Sequence, residues 1–180
     1  MDTLSHALWV GAGAAVAHRA KLIDNRTIGA IVTFAALPDV IHLAPIVAWA
    51  LFGEGSFAVL YLYAIALPGQ EPVMPAIVEL RVHHFHCIMH SAVVASEVTL
   101  IALLAWRTLW IPLLGWWSHI VMDVFTHSAD YYPSPVLYPF TDRGFDGLAW
   151  NQPTYLALNY AFLVGIYFWL FRTRKRHAAD

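Results

Sequence analysis

Apolar residues run along this chain in long blocks, each bounded by charge, proline, glycine or aromatic clusters. A spanning helix needs about 20 mostly apolar residues, and about five blocks approach that length: residues 4–20, 28–52, 88–106, 109–126 and 155–171. Pro38 interrupts the second. A shorter run, FAVLYLYAIALP from Phe57 to Pro68, is only about a dozen residues long and predicts either a re-entrant or an interfacial helix. The first block lacks a basic leader and a clear cleavage site, so it reads as a retained helix and not as a signal peptide. No repeat or low-complexity tract divides the chain. The pattern predicts an all-α, polytopic integral membrane protein with residues 1–180 in one transmembrane domain.

Composition agrees: 59% of the residues are hydrophobic and 12% charged, with eight Trp, and the mean hydropathy is +0.58. A net charge of -2 with ten Lys plus Arg leaves no broad basic surface, which argues against nucleic acid as a partner. The lone cysteine, Cys87, excludes an internal disulfide and a cysteine-rich zinc site, so a metal must be held by His and carboxylates. Basic residues favour the cytoplasmic side of a membrane. RTRKRH after the last block, HRAKLIDNR between the first two, and Arg107 fall on one side if five helices alternate. The C-terminus is then cytoplasmic, and the connections 53–87 and 127–154 face outward, although these also hold Arg81 and Arg143.

Within this frame the polar residues inside the blocks converge on one level near the outer face. His6 begins the first helix; Asp39 and His42 follow Pro38 in the second; His86 and His90 open the third; His119, Asp123 and His127 close the fourth. Residues three or four apart share a helix face, so Asp39 with His42, His86 with His90, and His119 with Asp123 and His127 form stripes. Imidazole and carboxylate bind zinc, manganese or iron, with zinc the first expectation. The number of ligands exceeds what one tetrahedral ion needs and points to two ions, or to residues that orient the ligands. Glu97 lies seven residues beyond His90 on nearly the same face and reads either as functional or as a neutral hydrogen-bonded group. His18, His83 and His177 sit by loops or basic clusters and read as solvated, and Cys87 as a packing residue.

The stretches MDTLSHAL, ALPDVIH, MHSAVV and WWSHIVMDVFTHSADYYPSPVLYPF resemble the YdjM-like, or LexA-binding, family of inner-membrane metal-dependent hydrolases, over about residues 1–45 and 84–140. Matched position by position, the resemblance implies His6, Asp39, His42, His90, His119 and Asp123 as the site. Ile41 stands where the family has a second Asp, and the HHFHCIMHS block offers either His84 or His86 at a spacing unlike the family's. His127 takes the position after Thr126 and could replace the missing carboxylate.

The resemblance implies a bacterial inner-membrane location and hydrolysis at a divalent metal, which activates water near neutral pH. The site's depth suits a lipid-linked or phosphate-containing substrate drawn from membrane lipid. Arg143 is a candidate phosphate contact, and Asp146 or Glu97 a candidate general base. A metal carrier should continue its polar residues into the cytoplasmic half, and a b-type haem protein would leave Asp39 and Asp123 without a purpose.

Overall fold

The structure, a computed structural model, describes residues 1–66, 70–107, 110–130 and 132–177, the last three by backbone only. The described residues form eight α-helices and no strand. Helix α1 (Thr3–Arg19) starts at Asp2, whose carboxylate accepts from Ser5 N at 2.9 Å, the side-chain cap that such an N-terminus requires. Asp24 caps α2 (Asn25–His42) in the same way through the Thr27 hydroxyl and N–H, which hold its carboxyl below the usual carboxylate range.

The predicted interruption at Pro38 falls elsewhere. Helix α2 runs through Pro38 to His42, and the chain then bends by 55° into α3 (Ala44–Phe52). Pro45 causes the bend: it has no N–H for the Ile41 carbonyl, and Leu43 N–H turns back to that oxygen instead. Pro38 also lacks an N–H, but it is fully buried in a helix that packs on both α1 and α7.

The outer connection expected over 53–87 contains two helices. They are α4 (Phe57–Ile65), over the short run whose last residues, Leu67 and Pro68, lie outside the described residues, and α5 (Ala76–Met89). The block expected over 88–106 is therefore α6 (Ala92–Ala105), turned by 59° from α5 at His90 and Ser91. Three His, a Glu and an Arg dilute the apolar signal of α5, yet Val78, Val82, His86 and Met89 make a buried stripe at helical spacing. Helix α7 (Trp110–Thr126) follows, without Leu109, which lies outside the described residues, and α8 (Pro153–His177) ends the fold.

Helix α2 is central, packed on α1, α5 and α7. A Cβ on Gly115 of α7 would strike the Ile31 carbonyl and come 2.9 Å from Ala35 N, so only glycine permits this approach. On the other side of α7, Trp116 donates to the Met89 carbonyl at 2.6 Å within a core of Met89, Ala95, Ala102, Leu113 and Ile120.

Among the described residues one helix is long and apolar enough to cross a membrane: α8, over the 22 residues Pro153–Arg174. The bent pairs α2–α3 and α5–α6 each meet the same test when taken as one span, which makes up to three among the described residues. Helices α1 and α7 have 17 residues each, about 25 Å at 1.5 Å per residue.

Candidate metal centre

Four donors from three parts of the chain meet in the bundle: Asp39 of α2, His90 at the α5–α6 bend, and His119 and Asp123 of α7. One ligand atom from each lies within 4.8 Å of every other, and His90, His119 and Asp123 are fully buried. Local structure explains the placement. His119 and Asp123 are one turn apart on the α7 face that Gly115 lets approach α2, while the end of α5 delivers His90 beside the capping Ser91.

The ring nitrogens reveal what the group is built for. His119 Nδ1 faces the Ala35 carbonyl at 2.7 Å, His90 Nδ1 the His86 carbonyl at 2.8 Å, and His127 Nδ1 the Tyr132 carbonyl. A carbonyl only accepts, so each Nδ1 carries a proton, and a neutral ring held in this way turns its Nε2 lone pair inward. Those lone pairs converge. His90 Nε2 and His119 Nε2 are 3.1 Å apart, each 3.1 Å from Asp123 Oδ2; His127 Nε2 is 3.5 Å from the same oxygen, and Asp39 Oδ1 is 3.7 Å from His119 Nε2. Asp123 Oδ2 nevertheless has no partner at hydrogen-bonding angle, nor has Asp39 Oδ2.

Acceptors packed against acceptors repel unless a proton or a cation lies between them; the Met1 amino group meets Asp123 Oδ1 and leaves Oδ2 without a hydrogen bond. Four-coordinate bonds of about 2.0–2.2 Å place ligand atoms about 3.3–3.6 Å apart, and the separations here, from 3.1 to 3.7 Å, extend to either side of that range. The residues present therefore fit a metal ion, and backbone carbonyls hold the imidazoles in the tautomer that ligation needs.

Around this group stand the other expected ligands. His6 is fully buried, stacked on His119 with ring centroids 3.7 Å apart, and its Nε2 is 2.8 Å from Asp123 Oδ1 without hydrogen-bonding angle at either ring nitrogen. The Met1 amino group contacts Asp123 and lies 3.0 Å from His127 Nε2. His42 and His86, with ring centroids 5.9 Å apart, line a cavity of about 160 Å³ that Asp39, His90 and His127 also border. The buried His42 Nδ1 has no partner. Of the two alternatives in the HHFH block, His86 is buried against the cavity, whereas His84 is exposed and 3.2 Å from the Tyr138 hydroxyl.

The structure does not bring Glu97, Arg143 or Asp146 into this group. All three are exposed. The 59° bend at His90 and Ser91 separates Glu97 from the face it was expected to share with His90. Asp146 accepts from Ala129 N at 2.8 Å, holding the 127–154 connection, and Arg143 N donates to Thr141 Oγ1 at 3.1 Å.

Sequence reasoning missed the carbonyls of Ala35 and Tyr132, and also a polar network between α1 and α8. Trp9 Nε1 donates to Asn159 Oδ1 at 2.8 Å, Asn159 Nδ2 to Ser5 Oγ at 2.7 Å, and both Ser5 Oγ and Tyr160 OH to Asp2, at 2.6 and 2.8 Å. Asn159, a lone amide in an apolar block, was the available signal. No protein-family profile matches the chain, and no curated protein or solved structure matches it.

Proposed function

We propose that this chain is a membrane-embedded, metal-dependent hydrolase of the YdjM-like kind, multi-pass in the bacterial inner membrane, with its site toward the outer face and its C-terminus cytoplasmic. The observation that carries the reading is the inward set of Nε2 lone pairs around Asp123, each fixed by a carbonyl behind it. Asp39, His90, His119 and Asp123 would hold the ion, with His6 and His127 beside them. Zinc suits this nitrogen and oxygen set best; manganese and iron are the alternatives.

A divalent ion there supplies Lewis acidity and lowers the pKa of water towards about 7. The chain does the rest. Asp39 Oδ2 and His42 Nδ1, both buried and unpartnered, border the cavity and are placed to accept a proton from water there. Leu113, Trp116 and Ile120 of α7 pack in an apolar core with Met89, Ala95 and Ala102, and no polar stripe continues through it, which favours a reaction chamber over a conduit. Arg143 does not border the cavity, so a phosphate-containing substrate would be held through the ion and the imidazoles.

Metal analysis of protein purified without chelator should find one or two divalent ions per chain. Less than about a tenth of an equivalent of any transition metal would remove the basis of the proposal. The orientation has its own test: a C-terminal alkaline phosphatase fusion should be inactive, and an active one would put the basic end outside.

A further inference from the structure

A second cavity, of about 380 Å³, adjoins the one beside the ion-binding group, and the two share Tyr63, His86 and Tyr132. It is where the non-reacting part of a substrate would lie. Its chemistry is one-sided. Glu71 and Glu79 line it, Asp2 and Asp39 line the inner cavity together with Met1, whose amino group is turned to Asp123, and among the described residues no Lys or Arg lines either. Two features aim this charge. Glu71 Oε1 accepts from the Tyr132 hydroxyl at 3.4 Å, and Glu79 Oε1 accepts from Met74 N at 3.4 Å.

Aromatic faces complete the wall. The rings of Tyr63 and Tyr132 meet edge to face with centroids 6.1 Å apart, and Tyr132 meets His86 likewise at 6.0 Å. Tyr132 takes a positive φ of 46°, a backbone setting that a non-glycine residue adopts only when its surroundings hold it there. That setting lets its carbonyl receive His127 Nδ1 while its ring borders both cavities. Tyrosine rings with two carboxylates, and no Lys or Arg, form an environment that attracts an organic ammonium group and repels a phosphate or carboxylate.

We propose that this outer cavity is a subsite for an alkylammonium group, so that the substrate carries a quaternary or protonated amine next to the bond presented to the ion-binding group. The position relative to a reacting bond rests on the hydrolase reading; the binding of the cation does not.

The test uses the full chain, metal-loaded, in a maltoside detergent, with calorimetric titration of choline, its neutral isostere 3,3-dimethylbutan-1-ol, and inorganic phosphate. Choline should bind about tenfold more tightly than the isostere, the order expected of a cation beside aromatic rings and two carboxylates. Glu71→Gln combined with Glu79→Gln should weaken choline by about tenfold while bound metal and helical circular dichroism stay unchanged. Equal affinity for choline and its isostere overturns the subsite. So does a double variant that loses one equivalent of metal and keeps choline affinity, which would make the cavity a second ion site.

The two readings fail separately: discrimination for choline in protein that holds no metal removes the hydrolase and leaves the subsite, and metal without discrimination does the reverse. Displacement of bound choline by phosphatidylcholine micelles, but not by phosphatidylglycerol, places the ammonium on a lipid. Its retention against both places it on a soluble compound.

Discussion

Helices α7 and α8 look alike in an apolar sequence, and they handle their polar residues in opposite ways. Helix α8 buries a narrow seam of Asn159, Leu163 and Leu170 and exposes Leu158, Phe162, Val164 and Phe168. Its one buried amide is matched: Asn159 accepts from Trp9 and donates to Ser5. Helix α7 buries His119 and Asp123 as completely, yet only Asp123 Oδ1 meets donors, the Met1 amino group and the Thr126 hydroxyl, while Oδ2 lies 3.1 Å from both His90 Nε2 and His119 Nε2 with no hydrogen bond. A satisfied buried polar group reads as packing. One left unsatisfied among converging lone pairs reads as a ligand.

Asp123→Ala is the sharpest way to break that contrast. Loss of an orienting residue costs about 10- to 100-fold in metal affinity, and loss of a direct ligand should cost more. Metal analysis should find the variant essentially empty, with its helical circular dichroism intact. Full metal occupancy would reduce the α7 stripe to packing.

Gly115→Val should have the next largest effect, because its side chain would enter the space of the Ile31 carbonyl. Overpacking of this kind costs about 1–3 kcal/mol, read as a lower Tm in detergent, and separating α7 from α2 should weaken metal retention too. An unchanged Tm would show that the two helices do not approach as closely as described.

Asn159→Leu tests the other side. Removing the two side-chain hydrogen bonds that join α8 to α1 should cost about 1–2 kcal/mol of thermal stability while metal content stays at the wild-type level. Metal loss equal to that of Asp123→Ala would erase the distinction between the helices.

How much of this was legible in the sequence differs residue by residue. The α7 stripe was readable because His119 and Asp123 are four apart in one unbroken helix, so spacing alone fixed their common face. Glu97 was misplaced by the same rule: its seven-residue spacing from His90 spans a 59° bend, and helical periodicity does not survive a bend. Helix α5 was hidden because its polar residues broke the apolar run, although Val78, Val82, His86, Cys87 and Met89 are buried. The all-helical architecture was legible, and one straight spanning helix with two bent pairs is what the lengths of the described helices support. The carbonyls of Ala35 and Tyr132 could not be read at all, since every residue has one and only tertiary packing chooses which a histidine meets.

The connection after α7 has a consequence for local motion. Gly147 N donates to the His127 carbonyl at 2.8 Å, Leu148 N to Phe125 at 3.0 Å and Trp150 N to Thr126 at 2.9 Å, so an irregular segment closes the last turn of α7. A Cβ on Gly147 would come 2.5 Å from the Phe125 oxygen, so glycine is what lets the segment lie so near. These three amides belong by sequence to a loop and by hydrogen bonding to α7. In amide hydrogen exchange they should open together with the end of that helix, as one cooperative unit, and exchange far more slowly than their exposed neighbours. The turn that carries Asp123 toward His127 is thereby kept from fraying, and the inward atoms stay in register between one encounter and the next.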